Sequence, residues 1–218
     1  MRTLDEYPAL ELLESRGIPA AARELSESED AAVAAAARIG YPVVFKISAP
    51  SALHKTEIGG VAVGIRDDAE ARAAYRGILE RAAKAGLKPG SGLRGVLVQE
   101  MVKGGAEFIL GGYRDPGFGP VVMVGLGGIF TELLKEAAFR LAPVDEAEAL
   151  RMVLETRARV LAAGFRGAPP LDLGPLCSAI AELSRMMSES EEILEFDVNP
   201  FVLTPSGGRA LDALFKYR

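Results

Sequence analysis

The sequence predicts an α/β protein built as two α+β lobes, and three observations carry that expectation. Short β-branched runs alternate with longer segments of helical apolar spacing along the whole chain. No internal repeat or low-complexity linker interrupts them, so the 218 residues read as one module. A glycine-bearing stretch near the middle, from Gln99 to Gly105, divides lobes expected over about residues 1–100 and 101–218.

The elements follow in order. Residues 7–15 predict an amphipathic helix that stops at Gly17-Ile18-Pro19, and residues 29–39 an Ala-rich helix ended by Gly40. Strands are expected at 43–47 and 61–65, a long helix at 67–85 ending at Gly86, and a buried strand at 95–99. After Met101-Val102-Lys103-Gly104-Gly105, strands resume at 107–113 and 120–125. Residues 131–138 predict a helix, 145–163 a longer one and 176–188 another. Two strands, 193–198 and 209–214, close the chain around a Thr204-Pro205-Ser206-Gly207-Gly208 turn.

Composition narrows the function. A 49% hydrophobic and 25% charged chain is an ordinary globular protein with material for a core. The net charge of −5 argues against nucleic-acid binding, which needs a basic stripe. The single cysteine, Cys177, forms no internal disulfide, and no clustered Cys/His set exists for a structural zinc. The N-terminus alternates apolar and charged residues without a signal-peptide run, and no membrane-length apolar stretch follows. A cytoplasmic protein with no membrane partner is expected.

The chemistry concentrates in YPVVFKISAPSALHKTEIGGVAV, residues 41–63. Lys46, among Val43, Val44, Phe45 and Ile47, is costly there unless it meets an anion such as a phosphate. Backbone N–H groups around Gly59-Gly60 can approach phosphates closely because glycine lacks a Cβ. His54, the only histidine, can accept and return a phosphoryl group, or can be a hydrogen-bonded loop residue. Near the C-terminus, ILEFDVN alternates so that Leu194, Phe196 and Val198 face one way, and Glu195, Asp197 and Asn199 the other. The following hairpin brings Asp212 close to Asn199, and hard oxygen ligands at that spacing suit Mg²⁺; the alternative is a solvated strand face.

Weaker signals lie between. Gly125-Leu126-Gly127-Gly128 before a helix can bind an anion, or can be a plain turn. The segment Gln99-Glu100-Met101-Val102 leaves a buried strand and can read an adenine edge, or simply end the strand. Glu107 can hold a ribose or lie on the surface, and Arg140, between Phe139 and Leu141, needs an anion from ligand or protein.

Taken together, YPVVFKI, LHKTEIGGVAVGI, GVLVQEMV, EFILGGYRDPGFGPVVMVGLGGIF, FRLAP, GFRGAPP and EFDVNPF…ALDA resemble the ATP-grasp fold, in which nucleotide binds between two lobes. More narrowly, the chain is similar to the β subunits of ADP-forming acyl-CoA synthetases, relatives of succinyl-CoA synthetase, from about Leu4 to Phe215. The resemblance implies that Lys46 contacts ATP phosphates beneath the Gly59-Gly60 loop. It implies that Glu100, Met101 and Val102 cradle adenine and that Glu107 holds the ribose. Asn199 and Asp212 would ligate Mg²⁺ with Asp197 as a supporting or alternative ligand, and Gly125, Gly127, Gly128 and Arg140 would lie near the transferred phosphate. His54 falls on the HKT-x-x-GG histidine that relays a phosphoryl group between ATP or ADP and a CoA-binding α subunit, in an α2β2 assembly. Glu57 stands where relatives commonly carry Asp. No CoA-binding domain is legible, so the chain reads as half an enzyme. The competing readings are another ATP-grasp carboxylate ligase, which would not need His54, a non-catalytic nucleotide-sensing subunit, and a fragment of a fusion with an acetyltransferase domain.

Overall fold

The computed structural model describes residues 1–49, 55–87, 92–128, 136–163 and 170–218. His54 and residues 131–135, predicted to open a helix, lie outside them. Two compact units result: Met1–Ala20 with Gly104–Arg218, and Ala21–Lys103. The first twenty residues thus belong with the second lobe, not with the first as the boundary near residue 100 expected. The cause is packing: Leu10 and Leu13 of α1 (Glu6–Ser15) are buried in the same core as Phe196 and Phe215.

In the larger unit, β1 (Arg2–Leu4), β6 (Ala106–Asp115), β7 (Gly119–Leu126), β8 (Ala137–Leu141), β9 (Ile193–Thr204), β10 (Gly207–Ala210) and β11 (Ala213–Tyr217) form one sheet. Its order is β1-β11-β9-β6-β7-β8, with β10 also on β9, and all its pairs are antiparallel. Helices α4 (Glu146–Glu155), α5 (Ala158–Ala162) and α6 (Gly174–Glu189) accompany it. On α6, Leu176, Ile180, Leu183 and Met187 recur at helical spacing and are all buried. Each such side chain contributes roughly 1.5–3 kcal/mol. Their strand-side partners are Phe108, Leu110, Val122, Val124, Phe196 and Val198.

In the smaller unit, β2 (Arg23–Ser26), β3 (Val43–Ser48), β4 (Val61–Ile65) and β5 (Gly95–Glu100) pair in the order β2-β5-β3-β4. The faces of Val43, Phe45, Ile47, Val96 and Val98 pack against α2 (Glu29–Ile39) and α3 (Asp68–Lys84). Ser28 and Asp67 cap these helices, accepting the N–H of Ala31 at 3.3 Å and of Glu70 at 2.8 Å.

Three expectations change. Ala137 and Ala138 belong to a strand, not a helix, because β8 pairs with β7 through Val124 and Gly125, and sheet pairing overrides alanine's helix preference. The predicted helix 145–163 is two helices. Thr156 breaks it: its hydroxyl donates to Val153 O at 2.7 Å and accepts the Ala158 N–H at 3.2 Å. The last strand, expected over 209–214, is also two, interrupted at Leu211-Asp212. Among the described residues no helix is long and apolar enough to cross a membrane.

Candidate functional site

In the larger unit one sheet face is covered by helices and the other carries the predicted ligands. Strand β9 alternates as expected from Phe196 on, burying Phe196 and Val198 and turning Asp197 and Asn199 the other way. A bulge between Lys216 and Tyr217 shifts the register, so Ile193 is buried and Leu194 only half-buried, contrary to the simple alternation. Asp197 sits between Gly111 of β6 and Leu214 of β11.

Asp212 occupies the break between β10 and β11, directly across from the middle of β9. The Asn199 N–H donates to Asp212 O at 3.1 Å, and the Leu211 N–H to Pro200 O at 2.9 Å. The juxtaposition expected from the hairpin is therefore present. Burial pushes the Asp197 carboxyl above its usual range, Glu195 adds to this and Lys216 opposes it. A desolvated carboxylate of this kind favours a nearby cation. Among the described residues no cluster of three or more His, Cys, Asp or Glu holds a metal unaided. An amide oxygen with one or two carboxylates fits Mg²⁺ completed by phosphate oxygens, not an all-protein cage.

Glu107, the second residue of β6, is exposed, and its carbonyl accepts the Gly127 N–H at 2.7 Å. A Cβ on Gly127 would meet Glu107 Cβ at 3.1 Å, and one on Gly128, at φ +66°, would meet Glu107 Oε2 at 3.0 Å. The glycines are needed for this close approach. Gly125 pairs with Ile109 in the same sheet. Glu107, Gly125, Gly127 and Gly128 thus form one corner, although the Gly127 N–H is already used within it.

Arg140 is not in that corner. It pairs with Val122 on the helix-covered face, where its guanidinium bonds Glu148 at 2.6 Å and also Glu155. Those carboxylates raise its pKa further. Of the two anions open to it from sequence, the protein's own is the one it has.

In the smaller unit Lys46 lies opposite Leu97 and Val61, on the face away from Phe45 and Ile47. Strand alternation keeps it half-buried rather than buried among its apolar neighbours. At the end of β5, the Glu100 N–H donates to Ala22 O at 2.9 Å and the Glu100 carboxylate accepts the Ala22 N–H at 2.9 Å. Met101 N–H donates to Pro42 O at 3.3 Å, while the Val102 N–H has no backbone partner among the described residues. The Gly59 and Gly60 N–H groups, expected to face phosphates, instead close a turn onto Thr56 O at 3.0 Å and Lys55 O at 2.7 Å.

Sequence reasoning missed the apolar part of the larger unit's open face. Ile109, Met123 and Leu214 lie half-buried in rows with Gly125, Gly111 and Asp197. The period-two pattern in β6, β7 and β11 carried that signal. Cys177 is an inert core residue, its thiol pushed up to about 11 mainly by burial. A groove of about 620 Å³ among Arg16, Pro143, Pro175 and Arg185 is lined by none of the predicted site residues.

Comparison with known proteins identifies the family of the chain. The ATP-grasp domain family model matches residues 1–216. The β subunit of acetate–CoA ligase (ADP-forming) I from Pyrococcus furiosus is 42% identical over 212 residues, covering 97% of this chain and 90% of that one. The 4-hydroxybutyrate–CoA ligase (ADP-forming) of Nitrosopumilus maritimus is 43% identical, covering 93% of this chain and 29% of that protein. The chain therefore spans under a third of such longer ligases and most of the separate β subunit. A solved acetyl-coenzyme A synthetase 1 from Ca. Korarchaeum cryptofilum, in complex with coenzyme A, Ca-AMPCP and HgCl⁺, superposes with a TM-score of 0.93 at 41% identity, covering 100% of this chain and 94% of that one. The same enzyme with coenzyme A and Mg-AMPPCP, its phosphohistidine segment pointing towards the nucleotide site, gives a TM-score of 0.85 at 40% identity, covering 99% of this chain and 93% of that one. The chain belongs to the ATP-grasp domain family, on its branch of ADP-forming acyl-CoA ligase β subunits.

Proposed function

We propose that this chain is the nucleotide-binding subunit of an ADP-forming acyl-CoA synthetase, passing a phosphoryl group between ATP and a CoA-binding partner through His54. The observation that carries the reading is Asn199 and Asp212 placed against one another, with Asp197 on the face of the sheet that Asn199 occupies. Asn199 and Asp212 would hold Mg²⁺, with Asp197 in support; the ion, when bound, offsets charge on the nucleotide phosphates. Lys46 adds a point charge for the phosphates. The Val102 N–H offers a donor to the adenine edge, and Glu107 an acceptor pair to ribose hydroxyls. Arg140, held by Glu148 and Glu155, is left out of this set.

In the transfer, a ring nitrogen of neutral His54 attacks the γ-phosphorus in line. The N–P bond forms as the bond from γ-phosphorus to the bridging oxygen breaks, and ADP leaves with that electron pair. The reverse step returns the group to ADP. Net, the complex interconverts acyl-CoA, ADP and phosphate with carboxylate, CoA and ATP. An α2β2 assembly and a cytoplasmic location go with this reading.

The test is incubation with Mg-ATP labelled at the γ-phosphate, with and without a CoA-binding subunit, beside His54→Ala. Acid-labile, base-stable label that disappears in the variant is expected. Tight nucleotide binding with no label under either condition would instead favour a sensing role, and ligase activity unaffected by His54→Ala would favour a carboxylate ligase.

A further inference from the structure

Arg81, on α3, makes a contact that the nucleotide chemistry does not use. Its Nε donates to Gly59 O at 2.6 Å. A Cβ on Gly59 would fall 2.6 Å from Arg81 Cδ and 2.8 Å from Nε, so the arginine stem occupies the space beside that glycine. Gly59 has φ +65°, a conformation that side chains rarely adopt. One helical turn before Arg81, Gly77 leaves room for the guanidinium: a Cβ there would lie 3.1 Å from Nη1. Two glycines on separate elements thus accommodate one arginine.

The turn that Arg81 grips is otherwise tied down through Gly60. Its N–H bonds Lys55 O at 2.7 Å, its carbonyl accepts the Ile47 N–H at 2.7 Å, and a Cβ on it would meet Ile47 Cγ2 at 2.5 Å. Ile47 is the neighbour of Lys46 on β3. The 55–60 turn follows His54 directly in the chain.

We propose that Arg81 is a positioning residue for the phosphoryl relay: it latches the 55–60 turn onto α3 and so holds the residues that directly follow His54 in the chain. The role rests on the relay reading above. Arg81 touches no reacting atom; it acts through the Gly59 carbonyl. A charge-assisted bond to a single carbonyl, with the stem packed on a glycine, restrains that turn more than a water-mediated contact would.

The test compares Arg81→Met, which keeps the stem and removes the donor, with Arg81→Lys, which keeps a cationic donor, and with Gly59→Ala, which crowds the stem. In the full chain with its CoA-binding partner, Mg-ADP affinity, the rate of acid-labile labelling from γ-labelled ATP, and amide exchange at Gly59 and Gly60 are measured together. Arg81→Met is expected to leave Mg-ADP affinity within about twofold, slow labelling about tenfold and speed exchange at both glycines. Arg81→Lys should recover part of the rate, and Gly59→Ala should behave like Arg81→Met. Labelling at the wild-type rate in Arg81→Met overturns the proposal even if exchange rises, as does a loss of labelling matched by an equal loss of affinity. If the wild-type chain takes no label while exchange still responds to Arg81→Met, the relay reading fails and the latch survives only as packing.

Discussion

The Asn199 N–H donates to the Asp212 carbonyl at 3.1 Å, tying the middle of β9 to the break between β10 and β11. Because main-chain atoms make this bond, it does not depend on either side chain and persists when either is altered. Asp212→Asn and Asn199→Ala should therefore keep the fold while weakening Mg-ADP binding about tenfold or more, ~1.4 kcal/mol each. Calorimetric titration with and without Mg²⁺ checks this. Equal affinity for Mg-ADP in variants and wild type would move the metal elsewhere.

Arg140 makes the opposite prediction. Its partners are Glu148 and Glu155 on α4, across the helix-covered side of the sheet. Arg140→Gln should lower the melting temperature and leave Mg-ADP affinity unchanged. A variant that folds normally but binds nucleotide weakly would return Arg140 to the phosphate.

Much of this was legible because it depends on local pattern. Gly40 ends α2 where the sequence places the stop, and the ILEFDVN alternation together with the hairpin turn suffices to bring Asn199 to Asp212. What escaped depends on partners distant in sequence. Strand β2, Arg-Glu-Leu-Ser, has no apolar alternation of its own and is a strand only because β5 pairs with it. Ala137 and Ala138 read as helix until β7 is seen beside them. Lys46 looked buried because its neighbours in sequence are apolar, yet a strand sends Val43, Phe45 and Ile47 to the other face. The Gly59-Gly60 pair was visible, but its reason is Arg81 and Ile47, which no local window contains.

Glu29 joins α2 to α3 through Arg72 at 3.1 Å and Arg76 at 2.6 Å. Its hydrogen bond to Arg76 is the main cause of a carboxyl held down to about 2, below its ordinary 4.5. A depressed carboxylate stabilises the fold fully above the unfolded value, and that contribution is lost as pH falls from about 4.5 toward 2. The carboxylate is half-buried but both arginine partners are exposed, so salt should weaken the effect. Glu29→Gln is expected to flatten the acid limb of a melting-temperature profile over that window and to reduce its salt dependence. Superimposable profiles would mean the pairs contribute nothing measurable.

Arg114 shows where a half-buried arginine serves stability alone. Projecting from β6 to the helix side, its Nε donates to Ile193 O at 2.8 Å, and its Nη2 donates to Ser190 O at 2.5 Å and to Met187 O. These carbonyls belong to the end of α6 and the start of β9, where a helix leaves its last acceptors without intrahelical donors. A fixed cation there also complements the helix dipole. Arg114→Ala removes three bonds at once, but water can reach a half-buried site and recover part of the loss. The expected cost is about 1–3 kcal/mol, seen as a lower urea midpoint at unchanged slope. Arg114→Lys, with one compact ammonium in place of a planar fork, should recover less than half, because one nitrogen cannot span carbonyls on both sides of the α6–β9 turn. Nucleotide affinity should not change in either variant. A drop in Mg-ADP affinity without a shift in midpoint would show instead that the start of β9 transmits to Asp197 and Asn199.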